Sequence, residues 1–246
     1  MYDLIIIGSG PAGMTAAIYA ARRKIKFLIL SMDIGGQMSW SSDVDNYPGI
    51  PDLAGVELVK KFNEHMKEYK IEVKNEEVLK LEKKGKICFV KTRKNKYESK
   101  AVVIASGKSP RKLNVSGEEK FLGRGVSYCA VCDAPLQKGK IVAVVGSGNS
   151  GLDASLFLSK YANKVYLIDI VPKITGEPYL KDKVLKNNKI SFIGNSKIKE
   201  ILGNSFVNAV KYEKENKERI LKIGSVFIEV GLVTKADFTN VKKNKW

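Results

Sequence analysis

One histidine, three cysteines and six arginines are all that the 246 residues contain of those types. The single histidine, His65 in EHMKEYK, falls on an expected helix, and with no second histidine Cys–His zinc sites and Ser-His-Asp triads are largely excluded for this chain. Three cysteines do not make a disulfide scaffold, and Cys88 in the alternating stretch KICFV reads as a small core residue. No run of 18 apolar residues occurs, so no membrane contact is expected. The opening MYDLIIIGSG lacks the basic region and cleavage-type end of a signal peptide, and it reads as the first strand of a cytoplasmic protein. The scarcity of arginine also bears on the formal charge of +17. Nearly all of the excess is lysine, interleaved with Glu and Asn as in KLEKKGKICFVKTRKNKYESK, whereas phosphate and base recognition draw on arginine forks. The charge therefore reads as solvated faces rather than a nucleic-acid stripe, and it suits an acidic protein partner.

What the chain does have is glycine in a repeated setting. YDLIIIG is a continuous apolar run suited to a buried parallel strand; GSGPAG at 8–13 and the helical pattern MTAAIYAARRK follow, then a second strand, KFLIL. The same order returns at 140–170, KIVAVVGSGNSGLDASLFLSKYANKVYLIDI, with Gly146, Gly148 and Gly151 in the glycine positions. Each copy is followed by alternating segments that predict short antiparallel strands: VLKLEKKG, KICFVKTR and NKYES first, then FVNAVKYEKE, ERILKIG and SVFIEVG. The chain thus reads as an internal pair of nucleotide-binding units, each with a meander attached, changing over near Arg111–Glu119.

Two G-x-G-x-x-G turns in the same strand–helix context point to two dinucleotides. Gly8 permits the tight turn, Gly10 lets backbone approach a pyrophosphate and Gly13 lets the helix pack on the strand, while free N–H groups and the helix dipole hold the anion. In the second unit Asp169 stands 18 residues after Gly151, where an acid can hold a ribose 2′-OH. The same spacing from Gly13 lands on Ser31, with Asp33 two residues late. Asp169 would repel a 2′-phosphate and no arginine lies within ten residues of it, so NADH is expected there and NADPH is disfavoured.

Just ahead of the second turn, GVSYCAVCDAPLQKGK sets Cys129 and Cys132 three apart. Zinc would need a second pair of ligands, and neither a second C-x-x-C nor a histidine knuckle exists, so no metal is expected. A chance spacing and a redox pair remain. Closely spaced cysteines cycle between dithiol and disulfide, one thiolate being favoured by neighbouring dipoles and hydrogen bonds.

The succession GSGPAG, MDIGGQMSWSSDVDNYPG, VVIASG, GVSYCAVCDAPLQKGK and GSGNSG resembles the low-molecular-weight thioredoxin reductases of bacteria and archaea. It is equally similar to the flavoprotein subunit of alkyl hydroperoxide reductase without its extra N-terminal domains. The resemblance spans nearly the whole chain and implies an α/β fold of two Rossmann-like, three-layer ββα nucleotide-binding domains, the first incomplete. Residues 1–113 would form an FAD domain lacking its C-terminal part, 114–232 an NAD(H) domain carrying the redox pair, and 233–246 the start of a return to the FAD domain. The FAD site carried over by motif comprises Gly8, Ser9, Gly10, Pro11, Ala12 and Gly13, then Ser31, Gly35, Gly36 and Gln37, with Asn46 of DNYPG, Ala105 and Gly107. The nicotinamide site comprises Gly146, Gly148, Asn149, Ser150, Gly151 and Asp169. Where NADPH-dependent relatives have a His-Arg-Arg stretch, this chain has Asp169, Ile170 and Val171, with Thr175 at a later arginine position. By resemblance Cys132 faces the flavin, Cys129 attacks the disulfide of a thioredoxin-, glutaredoxin- or peroxiredoxin-like partner, and Asp133 protonates the leaving thiolate. One domain would rotate against the other between half-reactions, with hinges near Asn114–Gly117 and Gly231–Thr234. Family members are homodimers through the flavin domain. The family's later Gly-Asp stretch has no counterpart before Trp246, so the alternative expectation is a truncated, non-catalytic nucleotide-binding remnant or one half of a split reductase.

Overall fold

The computed structural model describes residues 1–42, 44–50 and 52–239. Asp43 of the DVDNYPG motif and residues 240–246, the end of the third expected segment, lie outside them. The chain divides into two compact units, 1–109 with the segment from Thr234 onward, and 110–233. The first changeover falls four residues before 113/114. Residues 110–113 are held within the second unit, where Arg111 N–H donates to the Gly231 carbonyl at 2.9 Å and Leu113 N–H to Glu118 Oε1 at 2.9 Å.

In the first unit the chain runs β1 (Tyr2–Ile7), α1 (Pro11–Arg22), β2 (Phe27–Ser31), α2 (Gly55–Glu68), β3 (Val73–Asn75), β4 (Val78–Lys84), β5 (Ile87–Thr92), β6 (Lys96–Ile104) and β7 (Lys108–Pro110). Its sheet has the order β3-β2-β1-β6-β5-β4. The apolar run Ile5-Ile6-Ile7 is buried on both faces, as a central parallel strand requires. Ile6 packs with Met14, Ala17 and Met66 beneath α1 and α2, while Ile5 and Ile7 pack with Leu30, Leu81, Cys88 and Val90 on the other face. NKYES is the start of the nine-residue β6, which pairs antiparallel with β5 and parallel with β1, so the meander continues the sheet rather than hanging from it. The returning segment closes this unit: Leu81 N–H donates to the Phe238 carbonyl at 2.8 Å, and Phe238 packs against the Ile5 cluster.

The second unit contains β8 (Val126–Ser127), α3 (Ala130–Asp133), β9 (Ile141–Val145), α4 (Asn149–Ser159), β10 (Lys164–Ile168), α5 (Pro178–Lys186), β11 (Ile190–Ile193), β12 (Ser196–Gly203), β13 (Val207–Lys214), β14 (Lys217–Lys222) and β15 (Ser225–Ile228). A last short strand, β16 (Leu232–Thr234), follows. A parallel sheet of order β11-β10-β9-β15-β8 is covered on one face by α4 and α5 and on the other by the antiparallel sheet β12-β13-β14, the three-layer ββα arrangement. Two strand expectations are corrected here. SVFI is not a meander strand but β15, parallel to β8 and β9. All four of its residues are buried, so it has no solvent face to expose. The meander's first strand is instead SKIKEILG, where Ile198 and Ile201 face the parallel sheet. No helix among the described residues is long and apolar enough to cross a membrane.

Candidate functional site

Both glycine turns leave the C-terminal end of a central parallel strand and enter a helix, so their free N–H groups point where strand ends leave room for a ligand. The glycines differ in what requires them. Gly8 and Gly146 have φ of +99° and +106°, and a Cβ on either would stand 2.3 Å from a carbonyl of the neighbouring strand end, Ala105 O and Glu229 O. A Cβ on Gly13 or Gly151 would stand 2.0 or 1.8 Å from the carbonyl of the turn's first glycine, which closes those positions to any side chain. Gly10 and Gly148 have ordinary φ of −73°. A Cβ on Gly10 would meet only Gly35 O at 3.8 Å, and one on Gly148 nothing within 4 Å. Neither backbone strain nor packing demands glycine there, and the backbone stands open to the close approach of a ligand.

In the first unit the turn opens on a cleft of about 730 Å³. Ser9, Gly10, Pro11 and Ala12 form one wall, with Ser31, Gly36 and Gln37 on a second, and Ala105 and Gly107 at the end of β6. Ser9 N–H donates to Ser31 Oγ at 3.2 Å and Ser9 Oγ donates to the Asp33 carbonyl, so Ser31 braces the turn. Gln37 Nε2 is buried in the wall of this cleft without a hydrogen-bond partner among the described residues. An orphaned donor, an open glycine and a cleft of this size fit an extended flavin dinucleotide. Gly13 and Gly35 sit behind the lining. Gly35, with φ of +97°, lies so close to α2 that a Cβ would stand 2.5 Å from the Val59 side chain. Asn46 is exposed and is not part of the lining.

Glu76 and Glu77, which have no motif around them, also line the cleft. Glu76 is buried, and its carboxylate accepts from Thr92 Oγ1 at 2.6 Å, Asn95 Nδ2 at 2.8 Å and Tyr97 OH at 2.8 Å. Burial works to raise its pKa, but the bonds from Thr92, Tyr97 and Asn95 and the charge of Lys74 outweigh it, and the carboxyl lies below the usual glutamate range.

In the second unit Asp169, one residue beyond β10, reaches back to the turn. Its Oδ2 accepts from Ser147 N–H at 2.6 Å and from Ser147 Oγ at 2.7 Å, and its Oδ1 accepts from Val171 N–H at 3.3 Å. Ser31 and Asp169 therefore hold equivalent places in the two copies, one offering a hydroxyl and the other a carboxyl. Asn149 Oδ1 accepts from Glu177 N–H at 2.8 Å and ties the start of α4 to the start of α5, while Ser150 is exposed.

Cys129 and Cys132 are joined as a disulfide across the four-residue α3. Ser127 Oγ accepts from Cys129 N–H at 3.1 Å, and Cys132 N–H donates to Cys129 Sγ at 3.2 Å. Cys132 is exposed and Cys129 half-buried. Asp133 is half-buried, and its carboxyl makes no hydrogen bond or ion pair among the described residues. Two supports of this loop have no local pattern in the sequence. Buried Glu118 accepts from Tyr128 OH at 2.5 Å, from Asn114 N–H at 2.6 Å and from Leu113 N–H at 2.9 Å. Burial first and Glu118 second push the Tyr128 phenol well above its usual range. Gln137 Nε2 donates to the Asp133 carbonyl at 3.1 Å, and Gln137 Oε1 accepts from Ser225 Oγ at 2.7 Å, which pins the end of α3 to β15. Cys88 is a separate buried thiol, and the described residues hold no cluster of three or more His, Cys, Asp or Glu able to bind a metal.

Comparison with known proteins agrees with this arrangement. The family described as pyridine nucleotide-disulphide oxidoreductase matches residues 2–245. A thioredoxin reductase of Buchnera aphidicola subsp. Schizaphis graminum is 38% identical over 98% of this chain and 79% of its own length. A protein named NADH dehydrogenase from Bacillus subtilis is 32% identical over 99% of this chain and 49% of its own length. The crystal structure of Lactococcus lactis thioredoxin reductase superposes with a TM-score of 0.93 at 36% identity, covering 97% of this chain and 80% of that one. With two nucleotide turns and a Cys-x-x-Cys disulfide in one chain, the protein belongs to the pyridine nucleotide-disulphide oxidoreductase family, as a thioredoxin-reductase-like enzyme.

Proposed function

We propose that this enzyme takes electrons from NADH, relays them through FAD in the first unit, and delivers them through Cys129 and Cys132 to a thioredoxin-, glutaredoxin- or peroxiredoxin-like protein. The observation that carries the proposal is the Cys129–Cys132 disulfide lying at the end of β8, in the same parallel sheet as the second nucleotide turn. The choice of NADH is supported by Asp169, whose carboxylate lines the turn through Ser147 and would oppose a 2′-phosphate. The relative named NADH dehydrogenase is consistent with that choice.

Bound in the first unit, FAD would supply a two-electron relay between nicotinamide and disulfide. Ser9, Gly10, Pro11, Ala12, Gly36 and Gln37 would hold it, Gln37 with its free amide donor. The chain's own disulfide opens by taking up two electrons and two protons. Cys129 passes its thiol proton to Asp133 and forms a bond to one sulfur of the partner disulfide, and the other sulfur leaves as a thiolate that receives this proton from Asp133. Cys132 attacks Cys129, the internal disulfide re-forms, and the partner departs with both sulfurs reduced.

Purified protein should be yellow and should reduce a disulfide dye with NADH, and Cys132→Ser should abolish that turnover while NADH binding persists. Dye reduction that survives the substitution would sink the mechanism. A colourless protein that binds NADH without turnover would instead identify a nucleotide-binding remnant or half of a two-chain assembly.

A further inference from the structure

Glu229 follows β15 and continues its ladder, its N–H donating to the Val145 carbonyl at 2.8 Å. Its backbone carbonyl is the atom that a Cβ on Gly146 would meet at 2.3 Å, and its own Cβ is 3.7 Å from where a Cβ on Gly151 would stand. Glu229 is thus wedged against the first and third glycines of the second nucleotide turn. It is half-buried, and no hydrogen-bond donor or cation meets its carboxyl among the described residues.

Among the described residues, the charged group that acts on its carboxyl is acidic. From α4, Asp153 adds like charge. At the turn, Asp169 is already engaged by Ser147 and Val171. On the β8 side the row that sets Ser127 beside Phe227 runs on toward Cys129, which does not titrate while it is in the disulfide. Burial first and Asp153 second push the Glu229 carboxyl up to about 8, so it holds a proton at neutral pH.

We infer that Glu229 is a proton-controlled selector of the nucleotide turn: neutral, it admits the diphosphate of NADH; ionised, it repels it. The inference rests on the second unit being the NADH site. A carboxylate on a residue whose backbone carbonyl and Cβ abut the turn would add like charge near the anion that the turn's N–H groups can hold, in a partly buried site where salt screens poorly. Because the neutral form binds more tightly, affinity is full below the pKa of Glu229 and falls as pH rises through it, loss of NADH being linked to loss of that proton. NADH carries no group that titrates in this window.

The test is NADH binding to the full chain, read by nicotinamide fluorescence with the Cys pair kept oxidised, between about pH 6.5 and about pH 9.5, a window that brackets the carboxyl and stays below the lysines. The wild-type Kd should rise roughly tenfold across the window, as a unit like charge near a diphosphate predicts. Glu229→Gln should hold the low-pH affinity throughout, and Asp153→Asn should move the wild-type midpoint to lower pH. A flat wild-type profile, or a Glu229→Gln profile that still falls, overturns the inference while leaving the NADH site standing. If Glu229→Gln does not fold, an unmoved midpoint in Asp153→Asn overturns it instead. Failure of NADH to bind at any pH removes the NADH site and the inference with it.

Discussion

The two glycine turns separate glycines required by the fold from glycines that the fold leaves open. Gly148 has extended backbone angles that any residue adopts and open space at its missing Cβ, so Gly148→Ala should leave stability within about 1 kcal/mol of wild type. NADH affinity should fall roughly tenfold or more, since the new methyl occupies the place of closest ligand approach. Gly151→Ala should do the reverse in kind. Its Cβ would stand 1.8 Å from the Gly146 carbonyl, so the helix must shift off the strand at a cost of about 2–4 kcal/mol. Urea midpoints set beside NADH titrations of both variants check the pair, and equal loss of stability in the two would refute the distinction.

At the level of elements, single buried carboxylates do the joining. Glu118 gathers the backbone of 113–114 and the hydroxyl of Tyr128, the residue before the redox pair. Tyr128→Phe removes one charge-assisted bond and should lower stability by roughly 1–3 kcal/mol. It should also shift the thiol–disulfide equilibrium of Cys129–Cys132, measured by alkylation after incubation with graded dithiothreitol. A stability loss with an unmoved equilibrium would reduce the bond to a purely structural tie. Glu76 joins the β3–β4 turn to the β5–β6 hairpin. Its folded pKa is depressed, so its contribution is present above the ordinary glutamate pKa and is lost as pH falls through the folded value. Glu76→Gln should therefore cost about 2 kcal/mol at neutral pH. The gap from wild type should close in acid, and a gap that stays constant down to low pH would show that ionisation of Glu76 contributes nothing.

At the scale of the whole molecule, the four buried hydrophobic clusters among the described residues each lie within one unit, two in each. Ligand linkage should consequently be local. NADH at a hundredfold excess over its Kd should stabilise its unit by about 2.7 kcal/mol. Hydrogen exchange should slow within 140–230 and not within β1–β6, and equal protection of both would place the nucleotide elsewhere. The lysine-rich surface makes a second prediction: kcat/KM toward an acidic redox partner should fall as salt rises, while dye reduction should not.

The sequence by itself determined the two turns, their helices, the Cys pair and the place of Asp169, because each is written in neighbouring residues at fixed spacing. Apolar runs of four or five residues also announced the buried parallel strands, and the family resemblance rests on the same local signals. Tertiary structure alone decided the direction of SVFI, since an apolar run pairs either way until its neighbours are known. It alone revealed Glu76, Glu118, Gln137 and Glu229 as well. A lone acid or amide in a loop carries no periodicity, and its chemistry depends on which donors and which other charges the folded chain brings within about 3–4 Å of it.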